Sequence, residues 1–481
     1  MPHDEIPAPI APGPAPVAGQ RSEPRARGLE ASLPQPVGRP RPRDRFRALS
    51  GGRFGLRALG LTQGWQLLRL GLRLGLLRLF GGRDPRARRV EAIRRIVATL
   101  GELKGAFVKA GQFAAVRLDL VPPEAQPLLT SLRDRVPPRP LAEIRAVVEA
   151  ELGGSLEDHF AAFEPAPLGA ASIAQVHRAR LHDGTPVAVK VQYPWLSRSL
   201  RADLAWLRFL LRRLGRGGGR FDAERLFEEF ARGMAEELDF EREADSARAI
   251  AGNLASDDQI VVPEVHPDFS TRRVLTMTYH PCVPLTDAAG LAELGVAGAD
   301  VVAIVARAYA KQVFVDGRFH ADPHPGNLFV LDEPDAARRP RVLFVDFGLS
   351  RTLEPELRGE IRKAMYALMQ RDAAAFVAGM ERMEMIAPGA APGVVAAVEQ
   401  MFERLSGVAA PLGLGGAQVL SLKDEAKALL QDTEGVQLPN DLLLYARTMA
   451  YVFGLGQELA PETDVMKLCV PPLLQFLAQK D

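Results

Sequence analysis

Apolar and polar residues alternate in a few short segments of the chain and recur at helical spacing over much of the rest. The alternation predicts four strands, over Phe163 to His177, Val176 to Leu181, Pro186 to Gln192 and Arg273 to Tyr279. An Asp183-Gly184 pair lies between the second and third strands, and this pair is typical of a β-hairpin turn.

Apolar residues spaced three and four apart predict long helices, separated by glycine and proline. The predicted helical regions are Ala87 to Leu120, Phe221 to Ala249, Ala299 to Asp316 and most of Glu354 to Gln479. A few strands followed by mainly helical sequence indicate an α+β protein.

Composition is that of a globular protein, with 47% hydrophobic and 25% charged residues among 481. The formal net charge of +1 argues against a surface directed at nucleic acid, so we expect no nucleic-acid partner. Two cysteines, Cys282 and Cys469, are too few for a disulfide framework, which suits a reducing compartment.

Residues 1–50 are rich in proline and arginine, and we expect a disordered tail there. The sequence has neither a secretory signal nor a charge-free run long enough to span a membrane, so we expect a cytoplasmic protein that is soluble or peripheral. Trp65 to Phe80 predicts a basic amphipathic helix. Such a helix either lies on an anionic membrane surface or packs on its own domain, and the sequence leaves both open.

The stretch from Gly317 to Gly348 carries the most specific chemistry. It contains His320 and Asp322 in one turn, Asn327 five residues after Asp322, and Asp346 at the end of an apolar strand. This is the order of a kinase catalytic loop followed by its metal-binding aspartate. Asn327 and Asp346 are therefore predicted ligands of Mg²⁺, Asp322 a base or orienting group for the acceptor, and His320 a brace for the loop.

Lys190 lies on an otherwise apolar strand, where an unpaired ammonium group would be costly, so it needs an anionic partner. Glu243 is the candidate partner, and Glu237 and Asp239 would face another site. The alternative is a solvated acidic helix face. In a two-lobed nucleotide enzyme, adenine would contact the backbone near Met277 and Tyr279.

Four motifs in order resemble the UbiB-type, or aarF-domain, atypical kinase family. They are KAGQ at Lys109 to Gln112, the alanine-containing loop Gly169 to Ser172 followed by VAVK, the Glu237 and Asp239 pair preceding Glu243, and HADPHPGN with DFG. The resemblance extends over about residues 90 to 460.

The resemblance implies a bilobal protein-kinase-like fold with an N-terminal helical extension over the active site. The corresponding domains are a tail at 1–50, the helical extension at 51–150, an N-lobe at 151–285 and a helical C-lobe at 286–481. It also implies that Lys190 contacts nucleotide phosphates, and that Lys109 and Gln112 project into the cleft, where Lys109 meets Glu237 or Asp239.

The sequence departs from a protein kinase in the loop over the phosphates, which reads PLGAAS with no G-x-G-x-x-G. Ala170 and Ala171 restrict the backbone, and we expect an altered nucleotide pose, with Ser172 closing the loop. Gly169 replaces the first alanine usual in the family and would relax the loop. His324 stands where many protein kinases carry lysine.

These features predict an ATP- and Mg²⁺-dependent atypical kinase or ATPase. From the resemblance we expect it to act at the cytoplasmic (inner) membrane surface, in isoprenoid-quinone (ubiquinone) biosynthesis or lipid handling. A small-molecule or lipid substrate and quinone-biosynthesis enzymes are the expected partners. A small-molecule phosphotransferase and a non-catalytic nucleotide-gated scaffold remain alternatives.

Overall fold

The computed structural model describes most of the chain after residue 137 and shorter pieces before it. The described residues are 69, 90–92, 94–99, 106–116, 138–194, 196–215, 223–335, 339–404, 433, 436 and 439–479. The tail predicted at 1–50 and, apart from Arg69, the helix predicted over Trp65 to Phe80 lie outside them.

Strands and helices alternate in the first part of the described chain, and helices dominate the second. The strands are β1 (Ala162–Ala170), β2 (Ala174–Arg180), β3 (Pro186–Gln192), β4 (Ile260–Val261), β5 (Val274–Thr278), β6 (Cys282–Pro284), β7 (Arg318–His320), β8 (Leu328–Leu331), β9 (Val342–Phe344) and β10 (Ser350–Thr352). The helices are α1 (Ala106–Val116), α2 (Leu141–Leu152), α3 (Leu156–His159), α4 (Leu196–Gly215), α5 (Ala223–Glu237), α6 (Phe240–Leu254), α7 (Ala288–Glu293), α8 (Gly298–Ala310), α9 (Pro355–Gln370), α10 (Ala373–Arg382), α11 (Ala391–Arg404), α12 (Asn440–Leu459) and α13 (Val465–Ala478). The α+β class is confirmed.

The first sheet is four-stranded and antiparallel, in the order β1-β2-β3-β5. Strand β3 has the bounds that its alternating sequence predicts, and Gly184 adopts φ 91° in the turn before it, a conformation that favours glycine. Val187, Val189 and Val191 are fully buried beneath helix α2. The central position of β3 holds Lys190 at the edge of the cleft.

The predicted first strand, Phe163 to His177, is wrong as a continuous element. Strand β1 ends at Ala170, and β2 starts at Ala174. The N–H of Ala171 donates to the carbonyl of Ala174 at 2.8 Å and closes a tight turn between them. The run of small residues here has no apolar alternation that would specify a strand.

The predicted helix from Phe221 to Ala249 is also divided. Helix α5 ends at Glu237, and α6 begins at Phe240 after a break at Asp239, whose backbone is extended (φ −115°, ψ 94°). The Asp239 carboxylate accepts the Arg242 N–H at 3.4 Å and caps α6, because aspartate is among the preferred N-cap residues. The break lets Glu237 and Glu243 point to different parts of the site.

The predicted helix Ala299 to Asp316 is present as α8 followed by one π-helical segment, Lys311–Asp316. Gly317 ends it with φ 67°, the left-handed conformation common after a helix. Eight of the thirteen residues of α8 are buried, all of them from Val301 onward, and the helix contributes to the largest hydrophobic core of the described residues. Strand β7 and the catalytic loop follow directly and inherit their position from this helix.

Two further sheets surround α8. One is two-stranded, in the order β10-β7, and the other is four-stranded, in the order β4-β9-β8-β6. Strands β8 and β9 pair antiparallel, with Leu328 opposite Phe344. Asn327 immediately precedes β8, and Asp346 follows β9 by two residues. The pairing therefore holds the two predicted metal ligands near each other.

The largest hydrophobic core is continuous across both parts of the fold. It joins Phe240 on α6, Leu275 on β5, Val305 on α8, Leu444 on α12 and Leu473 on α13. Helix α1 packs separately, with Phe107 buried against Leu207 of α4 and Met234 of α5. The domain boundaries given above remain predictions.

Candidate functional site

Lys190 forms the centre of a cluster of three charged side chains. Its Nζ lies 2.7 Å and 2.9 Å from the two carboxylate oxygens of Glu243 and 2.9 Å from Oδ1 of Asp346. The Glu243 side chain is only 2% exposed, whereas that of Asp346 is 47% exposed. The structure thus brings together three of the predicted site residues, from β3, α6 and the segment after β9.

The charges shift one another's proton affinities. Burial opposes the ionised form of Asp346, but the Lys190 ammonium outweighs it and lowers the pKa of Asp346 to about 2. Burial likewise opposes the charge of Lys190, yet Asp346 and Glu243 raise the pKa of Lys190 above its ordinary value. For Glu243 burial dominates, and its pKa rises to about 7 although Lys190 opposes the rise. Asp346 is therefore ionised at neutral pH, as a metal ligand must be.

His320 fixes the shape of the loop that carries Asp322. The histidine is fully buried, and its Nε2–H donates to the carbonyl of Val345 at 3.1 Å. Its Nδ1 accepts the Tyr309 hydroxyl at 3.2 Å and the Asp322 N–H at 3.3 Å. Since a carbonyl only accepts, the proton must lie on Nε2. His320 therefore links the loop to the segment just before Asp346.

The Asp322 carboxylate is held from two sides. Oδ2 accepts the side-chain amide of Asn327 at 3.2 Å, and the same Nδ2 donates to the Asp322 carbonyl at 3.1 Å. Oδ1 lies 2.7 Å from Nη2 of Arg447, on helix α12. Sequence reasoning missed Arg447, because it is 125 residues from Asp322 and lies in an ordinary amphipathic helix with no motif around it.

Asp346 and Asn327 have the donor chemistry for Mg²⁺. Asp346 adopts φ 62° two residues after the end of β9, and its ionised carboxylate is partly exposed to solvent. Nδ2 of Asn327 is used by Asp322, so Oδ1 is the amide atom suited to a cation. Within the described residues, no three His, Cys, Asp or Glu side chains are arranged as a metal site. Mg²⁺ commonly takes only one or two protein ligands and completes its shell with phosphates and water, so the pair fits.

The KAGQ helix meets the Glu-x-Asp motif through Lys109, which forms an ion pair with Glu237. Asp239 does not join this pair. It caps α6 and lies 3.3 Å from the guanidinium of Arg272. Gln112 belongs to the same helix as Lys109, but its side chain lies outside the described residues.

An ion pair that the sequence did not predict lies next to the Lys109–Glu237 pair. Arg351, on β10, is 3.0 Å from Glu236 and 3.8 Å from Asp441 of α12. Its side chain is 15% exposed. Adjacent residues Glu236 and Glu237 thus connect α5 to two different elements, β10 and α1.

The alanine-containing loop crosses the open end of the first sheet. Gly169 and Ala170 end β1, and Ala171 and Ser172 form the turn. Gly169 has no positive φ, and a Cβ at this position would meet nothing within 4 Å. Neither backbone conformation nor space requires glycine here, so the expected relaxation of the loop has no structural basis in this conformation.

At the predicted adenine edge, near Met277 and Tyr279, two backbone N–H groups are already hydrogen-bonded within the fold. The N–H of Tyr279 donates to the Pro186 carbonyl at 2.9 Å, and the N–H of Thr278 donates to Glu264 at 2.9 Å. Met277 is buried opposite Ala188 of β3. An adenine contact at Tyr279 would therefore have to use its carbonyl oxygen, because the sheet already occupies its N–H.

None of the helices in the described part of the chain combines the length and the apolar character needed to cross a bilayer.

Comparison with known proteins places this site in a family. Residues 131–380 match the model of the ABC1 atypical kinase-like domain. The chain is 30% identical to "Protein ACTIVITY OF BC1 COMPLEX KINASE 8, chloroplastic" of Arabidopsis thaliana, over 77% of this chain and 52% of that protein. It is also 30% identical to "Probable protein kinase UbiB" of Marinobacter nauticus, over 80% of this chain and 70% of that protein.

One solved structure extends the likeness to the fold. The structure of Rv3197 from Mycobacterium tuberculosis, solved in complex with erythromycin, shares 26% identity and a TM-score of 0.53. The alignment covers 79% of this chain and 95% of that one. The matched region contains the cluster around Lys190 and the loop of Asp322, and the chain belongs to the ABC1, or UbiB-type, atypical kinase family with a kinase-like fold.

Proposed function

We propose that the chain binds ATP with Mg²⁺ at this site and acts as an atypical kinase or ATPase. The observation that carries the proposal is the contact of Lys190 with both Glu243 and Asp346, next to the loop of Asp322 and Asn327. Phosphoryl transfer depends mainly on positioning and on the neutralisation of phosphate charge, and this cluster supplies both kinds of group.

Each residue has a distinct part in the proposed reaction. Lys190 binds nucleotide phosphates while Glu243 holds it in place. Asp346 and Asn327 would hold Mg²⁺, which neutralises phosphate charge when bound. Asp322 orients the acceptor oxygen and takes its proton as that oxygen attacks the γ-phosphorus. The bond to the bridging oxygen breaks, ADP leaves with the electron pair, and the proton passes to solvent.

A small acceptor or water fits the site better than a protein chain. Helix α1 is tied to α5 by the Lys109–Glu237 pair, and α12 reaches Asp322 through Arg447. Arg447 of α12 thus contacts the residue that would meet the acceptor, and the family resemblance implies that the helical extension containing α1 covers the active site. Action at an anionic membrane surface, on a lipid or quinone precursor, rests on the family resemblance and on the Trp65 to Phe80 sequence.

The experiment is ATP turnover by the full chain, with and without anionic liposomes and a quinone-like phenol. We expect Mg²⁺-dependent ADP formation that liposomes increase, and Asp322→Asn should reduce it at least about a hundredfold, the lower end of what a positioned acid–base group contributes. Asp464→Asn is the matched control, since asparagine can replace this helix cap. Radiolabel from γ-phosphate identifies free phosphate or a phosphorylated acceptor. Undiminished turnover in Asp322→Asn would contradict the assignment and favour a nucleotide-gated scaffold.

A further inference from the structure

The catalytic loop itself contains no permanent positive charge. Residues 320–327 read HADPHPGN, without lysine or arginine. The transferring phosphoryl group nevertheless gathers negative charge on its oxygens, and a positioned cation beside it accelerates transfer. Lys190 is already shared between Glu243 and Asp346, and Lys109 is paired with Glu237. Lys190 and Mg²⁺ serve the nucleotide phosphates in the proposed reaction, so a further protein cation on the acceptor side would come from another element.

Arg447 is placed where that cation is required. Its Nη2 lies 2.7 Å from Oδ1 of Asp322, the residue that faces the acceptor. Within the described residues, this is the one hydrogen bond made by its guanidinium, so a planar group with five donors touches the site through a single nitrogen. The remaining donors can take phosphoryl oxygens without breaking another contact.

The helix around Arg447 holds the guanidinium in a defined position. Arg447 lies 5.2 Å over the ring of Tyr451, and that ring meets the ring of His324 at 6.5 Å. Leu444 and Thr448, on either side of Arg447 along α12, are buried in the core. The Arg447 side chain is 17% exposed and therefore loses little freedom when it binds an anion. A site group fixed by a packed helix is more precise than one on a loop.

We propose that Arg447 is a catalytic residue that binds the phosphoryl group during its transfer, in place of a cation in the loop. The inference rests on the proposed function. As the acceptor oxygen bonds to the γ-phosphorus and the bond to ADP breaks, the guanidinium stabilises the charge on the equatorial oxygens. Arg447 thereby also selects an acceptor small enough to fit between α12 and the loop.

The test uses the full chain with ADP and Mg²⁺, with and without aluminium fluoride as a mimic of the transferring phosphoryl group. In the wild type, fluoride should tighten ADP binding. In Arg447→Gln, the tightening by fluoride and kcat should each fall at least about a hundredfold, as is typical when one transition-state donor is removed. Its affinity for ADP alone should stay within about threefold of wild type, since the proposed role of the guanidinium is to bind the transferring phosphoryl group and not ADP. Arg447→Lys, which keeps the charge without the fork, should fall between the two.

Arg273→Gln is the matched control. Arg273 forms an ion pair with Glu151 away from the site, with similar exposure (25% and 21% against 17% and 29%). It should behave as wild type. If Arg447→Gln does not fold, Arg447→Lys still provides the test. Its tightening of ADP binding by aluminium fluoride should be weaker than that of Arg273→Gln, and equal tightening in the two variants would overturn the proposal.

Two results for Arg447→Gln would overturn the proposal. Full tightening by aluminium fluoride would show that the guanidinium does not bind the phosphoryl group. Faster turnover would show that the pair restrains Asp322 instead. If the wild-type chain itself neither binds ADP with Mg²⁺ nor turns over ATP, the proposed function fails. If the wild type binds ADP with Mg²⁺ and turns over ATP, and Arg447→Gln behaves in the same way, only the role of Arg447 is refuted and the proposed function stands.

Discussion

At the residue scale, one ammonium group organises the site. Lys190 contacts both oxygens of Glu243 and one of Asp346, and these contacts separate the two carboxylates chemically. Asp346 keeps its charge because Lys190 lowers its pKa to about 2 although burial opposes this. Burial instead raises the pKa of Glu243 to about 7. The partly exposed carboxylate of Asp346 is thus ionised and available to bind a cation, whereas the buried Glu243 orients Lys190.

This difference predicts a pH effect on stability. The pKa of Glu243 is raised above its ordinary value of 4.5, so the folded state binds the proton more tightly than the unfolded state. Its contribution to stability is complete below pH 4.5 and is lost as pH rises through about 7. Glu243→Gln removes the titration. The free energy of unfolding of wild type relative to Glu243→Gln should therefore decrease from pH 5 to pH 8.

Urea unfolding of both proteins across this range measures the difference. Buried histidines such as His177 titrate in the same window with the opposite sign, but they are common to both proteins and cancel. An increase of the difference with pH would contradict the burial-dominated pKa of Glu243.

At the element scale, helix packing brings distant sequence to the catalytic loop. The end of α12 rests on the start of α8, where a Cβ on Gly298 would overlap the carbonyl oxygen of Leu459. This close approach holds α12 against the helix that leads to Asp322. The glycine is needed here for space, not for backbone conformation, since its φ is not positive.

Gly298→Ala should therefore destabilise the fold. Because the obstacle is backbone, we expect a loss of about 1–3 kcal/mol, as for other overpacked sites. Gly454→Ala is the control, since Gly454 lies in α12 with nothing within 4 Å of an added Cβ. It should be neutral or gain up to about 1 kcal/mol in helix propensity. Thermal unfolding of both variants measures this, and equal melting temperatures would contradict the packing of α12 on α8.

The elements also differ in how far the sequence predicts them. Strand β3 follows the alternation of VAVKVQ and its Asp-Gly turn, so its bounds were predicted correctly. The division of α5 from α6 was missed because helical spacing of apolar residues continues through Asp239. A cap residue within an apolar pattern is a weak local signal, and tertiary contacts decide whether the helix ends there.

At the scale of the whole molecule, the site combines residues that lie in sequence motifs with residues that only the packing of distant elements brings near them. The sequence predicted that Lys190 pairs with Glu243 and that Asp346 belongs to the site, because both lie in or beside motifs, but it did not predict the contact of Asp346 with Lys190. It did not predict Arg351, which pairs with Glu236 115 residues away in the sequence, or Arg447, which pairs with Asp322 125 residues away. Such contacts depend on how helices pack, and no local pattern records that packing.

Isothermal titration of ATP into wild type and Asp346→Asn, with and without Mg²⁺, tests the proposed magnesium-dependent nucleotide site most directly. Wild type and Asp464→Asn should bind ATP more tightly with Mg²⁺ than with a chelator. Asp346→Asn should lose this dependence, with affinity for Mg²⁺–ATP at least about tenfold weaker because it lacks the ionised ligand. Its melting curve should remain cooperative. Wild-type affinity with unchanged Mg²⁺ dependence in Asp346→Asn would contradict the account.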